Sequence, residues 1–152
     1  MPSSLTSIGD SAFYNCSGLT SVDLSGCTSL KSIETWAFYN CDSLTTVELD
    51  QCTSLTSIKG WVFYLCSGLT SISLPSSLTS IGEWAFYGCS SVIRYDFRNC
   101  TTIPTLASVS SLGHATGCQI IIPDALYDEW TTATNWVSLT NVVWVKASEY
   151  VE

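Results

Sequence analysis

A repeat of 23 to 25 residues restricts what this chain can fold into more than any other feature of its sequence. Four positions of the repeat are identical in all four units, and three others stay apolar throughout. A unit of this length cannot bury its own apolar face, so the units must stack and share one continuous core. The register is marked by the leucine that opens each unit, at Leu5, Leu30, Leu55 and Leu78.

The consensus of the unit is L-x-S-I-x-x-x-A-F-Y-x-C-x-x-L-T-S-[VI]-x-L. It contains two short extended stretches, and the second alternates apolar and polar residues with the period of a strand. The A-F-Y-x-C segment between them is compatible with one helical turn. Such a turn would direct Ala12, Phe13 and Cys16 to the same side.

These positions resemble the BspA-like leucine-rich repeats of bacterial and protozoan surface proteins. The likeness covers the pattern I-x-x-x-A-F-x-x-C-x-x-L-x-x-V-x-L over residues 3–100. The third unit departs from it with Val62 and Ile72, and the fourth with Val92, Tyr95 and Phe97. The resemblance implies a right-handed solenoid with parallel sheets, an exported or cell-surface location and, in some members, binding of host matrix proteins. It supplies no set of catalytic residues.

We therefore predict an α/β-type solenoid, a right-handed leucine-rich-repeat coil with short parallel strands and about four repeats of 23–25 residues over residues 1–102. Residues 103–152 lose the repeat, and we expect them to form a C-terminal strand–helix–strand cap. A bare terminal coil would expose apolar core and open strand edges, which is why an array needs such a module. Residues 1–9 almost copy residues 74–82, so we interpret the chain as cut at a repeat boundary, with an uncapped N-terminal coil.

Within the cap, residues 103–106 are a candidate for a last degenerate strand, and Ile120–Ile122 and Val142–Val145 for two further strands. Asp124 is the predicted N-cap of a helix. One face of that helix would carry Leu126, Trp130 and Ala133. The segment I-P-D-A-L-Y-D-E-W…N-W resembles a tail common on such arrays in gut bacteria and their phages.

Composition excludes several classes of function. Lys and Arg number 5 against 13 Asp and Glu, a net charge of −8, whereas nucleic-acid binding needs clustered cations. The longest apolar run, Trp61–Cys66, is far shorter than the roughly 20 residues of a membrane span, so we expect no membrane insertion. With one histidine, His114, and no nucleophile, phosphate-loop or metalloprotease motif, we predict no enzymatic activity and no cofactor. We predict no metal site either, because the chain has no C-x-x-C pair and no calcium loop.

The cysteines follow the repeat. Equivalent residues on neighbouring coils lie about 4.7–4.9 Å apart with parallel side chains, whereas a disulfide needs Cβ atoms about 3.5–4.5 Å apart that face each other. The ladders therefore predict free thiols that act as small apolar core groups. A disulfide between Cys100 and Cys118 is the exception we allow, because Cys118 lies outside the register. The two ladders are Cys16, Cys41, Cys66 and Cys89, and Cys27, Cys52 and Cys100.

Two sets of residues are candidates for ligand binding. If the alanine and phenylalanine of each unit face the core, the neighbouring tryptophan and tyrosine face outward or sideways. They would form an aromatic ladder that contacts a protein or a sugar, or that only stacks laterally and shields the core. Its candidate residues are Trp36, Trp61, Trp84, Tyr39, Tyr64 and Tyr87, with Tyr14 and Ser11 at the first unit.

The second set lies on the outward face of the second extended stretch. Asp23, Glu48 and Asp96 alternate there with the inward apolar residues. This acidic, hydroxyl-rich face would either hydrogen-bond a glycan or a protein, or be plain solvated surface.

Three functions remain open. The first is a non-catalytic binding or adhesion module of a surface or secreted protein, recognising a host or cell-surface protein or a glycan. The second is a structural spacer or phage-tail component without a small ligand, located in a virion. The third is an intracellular interaction scaffold, which suits free thiols in a reducing compartment. The uncapped N-terminal coil also predicts end-to-end self-association at high concentration.

Overall fold

The computed structural model describes residues 1–151, and its regular structure is mostly short β-strands. This part of the chain also contains one α-helix, α1 (Tyr127–Trp130). Short 3₁₀ segments lie at Val109–Ser111, Asp124–Leu126 and Ala147–Glu149. In chain order the strands are β1 (Ser7–Ile8), β2 (Ser21–Val22), β3 (Ser32–Ile33), β4 (Thr46–Glu48), β5 (Ser57–Ile58), β6 (Ser71–Ser73), β7 (Ser80–Ile81), β8 (Arg94–Asp96), β9 (Thr105–Leu106), β10 (Cys118–Ile122) and β11 (Val142–Lys146).

The strands form two parallel sheets. Sheet A has the order β1-β3-β5-β7-β9, and sheet B has the order β11-β10-β8-β6-β4-β2. Equivalent repeat residues pair between coils, as Ile8 does with Ile33 and Val47 with Ile72. The predicted solenoid of short parallel strands is therefore confirmed. Both sheets continue past residue 102, since β9 pairs with β7 and β10 with β8; the domain boundary drawn there stays a prediction.

The apolar repeat positions build one continuous core. In the second to fourth coils, the opening leucine and the isoleucine, phenylalanine and cysteine that follow are at most 1% exposed. The phenylalanine rings stack face to face along the solenoid, with centroids 5.0 to 5.2 Å apart and ring planes within 8° of parallel. This stack consists of Phe13, Phe38, Phe63 and Phe86.

The A-F-Y-x-C segment is a series of turns, so the helical turn predicted from the sequence is wrong. Its N–H groups bond alternately within the coil and to the next coil: Tyr14 N–H donates to the Ser11 carbonyl (3.1 Å), and Phe13 N–H donates to the Ala37 carbonyl (2.7 Å). A helix would direct every N–H along its own axis and leave the neighbouring coil without partners. The alternation uses left-handed backbone, with φ between 55° and 61°, at two repeat positions. These are Ser11, Trp36, Trp61 and Trp84, and four residues later Asn15, Asn40 and Leu65.

All eight cysteines are unpaired, including Cys100 and Cys118, so the disulfide allowed for above is not formed. In the longer ladder the thiols of Cys41, Cys66 and Cys89 each donate to a phenylalanine carbonyl of the preceding coil; the distance from Cys66 Sγ to Phe38 O is 3.1 Å. Burial raises the pKa of Cys66 to about 12, which keeps this thiol protonated and unreactive near neutral pH.

The C-terminal segment covers the last coil. Trp130 and Trp136 are buried, and each packs edge-on against Phe97 with ring centroids 5.3 Å apart. The Asn135 amide donates to the Leu106 carbonyl (2.6 Å), and the Trp136 indole N–H donates to the Pro104 carbonyl (2.8 Å). These bonds satisfy carbonyl groups at the open edge of sheet A, where a further coil would otherwise be needed.

Asp124 does not cap the helix as predicted. Pro123 holds the N-cap position of the 3₁₀ segment that leads into α1, and the Asp124 carboxylate instead accepts hydrogen bonds from the Ser148 hydroxyl and N–H. These bonds lower the pKa of Asp124. Leu126, Trp130 and Ala133 all pack on the core, but they do not share one helix face as predicted, because only Trp130 lies in α1 while Leu126 ends the 3₁₀ segment and Ala133 follows the helix.

The first coil is less covered than the others. Five of its apolar side chains are only partly buried, whereas their equivalents in the next coil lie in the fully buried core; Ile8 and Leu24 of the first coil are buried. The partly buried set is Leu5, Phe13, Cys16, Leu19 and Val22.

Candidate functional site

Two adjacent rows of aromatic side chains follow the solenoid along the turn segments. Each tryptophan directly precedes the buried Ala or Val of its unit, and each tyrosine directly follows the core phenylalanine, which is buried in the second to fourth coils and half-buried in the first. Because those neighbours face the core, the tryptophan and tyrosine are directed outward. We call this surface the aromatic ridge, formed by Trp36, Trp61 and Trp84 with Tyr14, Tyr39, Tyr64 and Tyr87.

The tyrosine row is a continuous stack. Ring centroids are 4.8 Å apart between Tyr14 and Tyr39, 5.2 Å between Tyr39 and Tyr64, and 5.3 Å between Tyr64 and Tyr87. Tyr14 is 46% and Tyr87 41% exposed, while the two inner tyrosines are half-buried. The lateral stacking considered as an alternative is therefore present, and the row still reaches solvent.

The tryptophan row is more irregular. Trp36 and Trp61 are 43% and 37% exposed, and their rings are tilted by 48° with centroids 6.4 Å apart. Trp84 is half-buried and packs against Tyr87, with centroids 4.7 Å apart. All three have positive φ, a conformation that costs a residue with a Cβ about 1–2 kcal/mol. Backbone bonds between coils at or beside these residues hold the conformation in place: Trp61 N–H donates to the Glu83 carbonyl (3.2 Å), and Ala37 and Ala85, which follow Trp36 and Trp84, accept from the preceding coil.

The stacking determines which chemistry the ridge offers. Both ring faces of Tyr39 and of Tyr64 lie against neighbouring tyrosines, so these residues present ring edges and hydroxyl groups to solvent. Free ring faces remain only at the ends of the row and beside the tilted tryptophans. The ridge is therefore an edge-presenting aromatic surface with a hydroxyl donor and acceptor on each coil.

At the first coil the tryptophan row is interrupted, because Ser11 stands where the next three units have tryptophan. The interruption leaves an open depression of about 550 Å³ lined by Ser11, Tyr14, Trp36 and Tyr39. We call this depression the notch. Sequence reasoning noted the Ser11 substitution but did not identify the notch, because the depression depends on how the neighbouring rings stack.

The acidic candidates lie on the outer face of sheet B and do not converge on one point. Asp23 accepts hydrogen bonds from the Ser25 hydroxyl (2.6 Å) and N–H (3.0 Å), which lower the pKa of Asp23. Asp96 forms an ion pair with Arg98 (2.7 Å). Glu48 and Asp96 line a polar groove of about 340 Å³.

A cluster at one end of this face had no signal in the sequence. Tyr150 lies under two guanidinium groups, 5.7 Å from Arg94 and 4.9 Å from Arg98, and its hydroxyl accepts a hydrogen bond from Arg94 (2.5 Å). The C-terminal segment thereby covers the β8 end of the outer face. Arg94 and Tyr150 are 56 residues apart and Tyr150 lies outside the repeat, so no periodicity indicates the contact.

Other site types find little support in residues 1–151. His114 lies in a loop with its Nδ1 3.0 Å from the Ala115 carbonyl. Within the described chain, His, Cys, Asp and Glu do not gather into a group that could hold a metal ion. Its helices are also too short to cross a membrane.

Parallel two-sheet coils with a repeated leucine, isoleucine and phenylalanine core define a leucine-rich-repeat solenoid, a class of fold that is typically a non-catalytic scaffold for protein interaction. A family model for the BspA type leucine-rich repeat region matches residues 1–112 in six copies. The chain belongs to this family, and the copy number exceeds the four units predicted from the sequence. No curated protein and no solved structure matches the chain.

Proposed function

We propose that the chain is a non-catalytic binding module whose aromatic ridge contacts a protein partner. The observation that carries the proposal is the exposure of the ridge: Tyr14, Trp36, Trp61 and Tyr87 are 37% to 46% exposed. Contiguous exposed aromatic groups are typical of interaction surfaces, and tryptophan and tyrosine dominate the energetics of protein interfaces. The solenoid core supports these side chains from below, so little order is lost when they bind.

The stacked tyrosines favour a protein over a glycan. A sugar ring stacks on a free aromatic face, and the faces of Tyr39 and Tyr64 are already occupied. Ring edges and phenol hydroxyls suit the mixed apolar and polar surface of a protein instead. We propose a host or cell-surface protein as the partner and a surface or secreted location, in line with what the BspA-like resemblance implies.

The test is a binding screen of the chain against arrayed proteins and glycans, with two variants that alter different faces. The ridge variant is Trp36→Asn, Trp61→Asn and Trp84→Asn, since asparagine tolerates positive φ. The control variant is Asp23→Asn and Glu48→Gln on sheet B. Circular dichroism checks that each variant is folded.

We expect a protein partner whose affinity falls about tenfold or more in the ridge variant and stays unchanged in the control. Loss of binding in the control alone would move the contact surface to sheet B. A glycan hit lost with the ridge would overturn the choice of a protein. Absence of any partner would favour a structural spacer or a virion component.

We also propose that the chain self-associates through its first coil, which presents partly buried apolar groups such as Phe13 and Val22. The C-terminal segment covers the opposite end, so contact through the first coils of two copies closes after a dimer. Sedimentation equilibrium on the intact chain would show a monomer–dimer equilibrium that Phe13→Ser weakens. Monomers at every concentration, or open polymers, would contradict this.

A further inference from the structure

We infer that the notch is an anchor site for one aromatic side chain of the partner. This inference rests on the proposed function and specifies which chemical group the ridge recognises. The notch is lined by two of the exposed rings, Tyr14 and Trp36, by the half-buried Tyr39 and by the small side chain of Ser11. The depression, about 550 Å³, is open to solvent, so a bound ring would rest against its lining and would not be enclosed.

The repeat itself indicates what fits. Ser11 has φ 57°, and the equivalent Trp36, Trp61 and Trp84 have φ 57°, 58° and 61°. A side chain at position 11 therefore leaves the backbone in the same direction as the three tryptophans. In the next coil this space is occupied by Trp36, whose ring contacts Trp61. The notch is thus a vacancy in the tryptophan row, and an aromatic ring from outside would restore the contact to Trp36.

The negative charge of Asp10 beside the notch indicates which residue should follow the aromatic residue in the partner. Asp10 is exposed and accepts a long hydrogen bond from the Ser11 hydroxyl (3.4 Å). Neither ion pair found within residues 1–151 involves Asp10. An aromatic residue followed by a lysine or arginine would place its cation near this carboxylate. The preferred partner segment is therefore aromatic–basic, in agreement with the net charge of −8 on the whole chain.

The test titrates three blocked dipeptides into the ¹⁵N-labelled chain: acetyl-Trp-Lys-amide, acetyl-Trp-Glu-amide and acetyl-Leu-Lys-amide. We expect saturable shifts of the Ser11 and Tyr14 amides and the Trp36 indole N–H with the first peptide, with Kd on the order of 1 mM. The Trp-Glu peptide should bind at least about threefold more weakly than the Trp-Lys peptide. The Leu-Lys peptide should leave these signals in place.

Ser11→Trp should abolish the shifts, because the chain then fills its own notch while the rest of the ridge is intact. Ser17→Trp adds the same ring to the same coil at an exposed position outside the notch and should bind as the wild type does. Should Ser11→Trp not fold, Trp36→Asn removes a wall and should also abolish the Tyr14 shift.

Binding that survives both notch variants, or equal shifts with the leucine peptide, would overturn the inference. Shifts of the same signals with protein concentration alone would also overturn it, in favour of a second copy as the occupant. The two proposals fail separately: a partner lost in the ridge variant but retained by Ser11→Trp would refute the notch and leave the ridge standing.

Discussion

The stacked phenylalanines allow a quantitative test of how the coils stabilise each other. Phe63 is fully buried and stacks on two rings, Phe38 at 5.2 Å and Phe86 at 5.1 Å. Phe13 is half-buried and stacks on one ring, Phe38, at 5.0 Å. Leucine keeps most of the apolar volume, which limits the packing cost to below about 1.5 kcal/mol, but it removes every ring pair, each worth about 0.5–1.5 kcal/mol.

Phe63→Leu should therefore lower the free energy of unfolding by about 2–3 kcal/mol, and Phe13→Leu by about 1 kcal/mol. Urea unfolding followed by circular dichroism and tryptophan fluorescence measures both, with a nearest-neighbour analysis if the two probes disagree. A double-mutant cycle between Phe38→Leu and Phe63→Leu isolates the ring pair and should give about 0.5–1.5 kcal/mol. A cycle energy of zero, or equal losses for the two single variants, would refute the reasoning.

Three further predictions concern the backbone, the cap and the thiols. Asn40→Ala should lower the free energy of unfolding by about 1–2 kcal/mol, and Asn40→Gly should lower it by clearly less, because Asn40 has φ 55°. Equal losses for the two variants in urea unfolding would contradict the role of the left-handed backbone. Asn135→Ala should lower the free energy of unfolding by about 1–3 kcal/mol more than Asn141→Ala does. Both residues have positive φ, but only Asn135 donates to the Leu106 carbonyl. Comparable melting temperatures of the two variants would contradict this role of the C-terminal segment. Burial raises the pKa of core thiols from 9.0, so these groups ionise first in the unfolded chain. Stability should therefore be independent of thiol ionisation up to about pH 8 and should fall as pH rises toward 12. A measured unfolding free energy that rises over this range would be inconsistent with buried thiols. The pKa values are about 11 for Cys41 and Cys52 and about 12 for Cys66, Cys100 and Cys118.

The strands of the repeats were predictable because the buried positions there recur with the repeat, so one local pattern is repeated in register along the array. The turn segment was not, because A-F-Y-x-C places its apolar residues on one side in a helix and in the observed turns alike. Bonds between coils, such as Phe13 N–H to the Ala37 carbonyl, decide between the two, and a single unit does not contain them. The prediction of Asp124 as an N-cap was wrong for the same reason, because its hydrogen-bond partner Ser148 is 24 residues away.

The sequence predicted which side chains of the candidate site face outward, but it did not predict how their rings are arranged. Inward alanine and phenylalanine imply outward tryptophan and tyrosine, and the structure places Trp36 and Tyr39 accordingly. The stacking that occupies the faces of Tyr39, and the notch beside Ser11, follow from contacts between coils. Sequence periodicity reports which side a residue faces but not how neighbouring rings tilt.

Hydroxyl-radical footprinting of the chain with and without a captured partner tests the central claim most directly, because it reports the exposure of each aromatic side chain separately. If the aromatic ridge is the contact surface, oxidation of Trp36, Trp61 and Tyr87 falls severalfold on binding, while that of Tyr127 and Tyr150 stays constant. Unchanged oxidation of the ridge, with protection confined to Tyr150 on the sheet B side, would contradict the account.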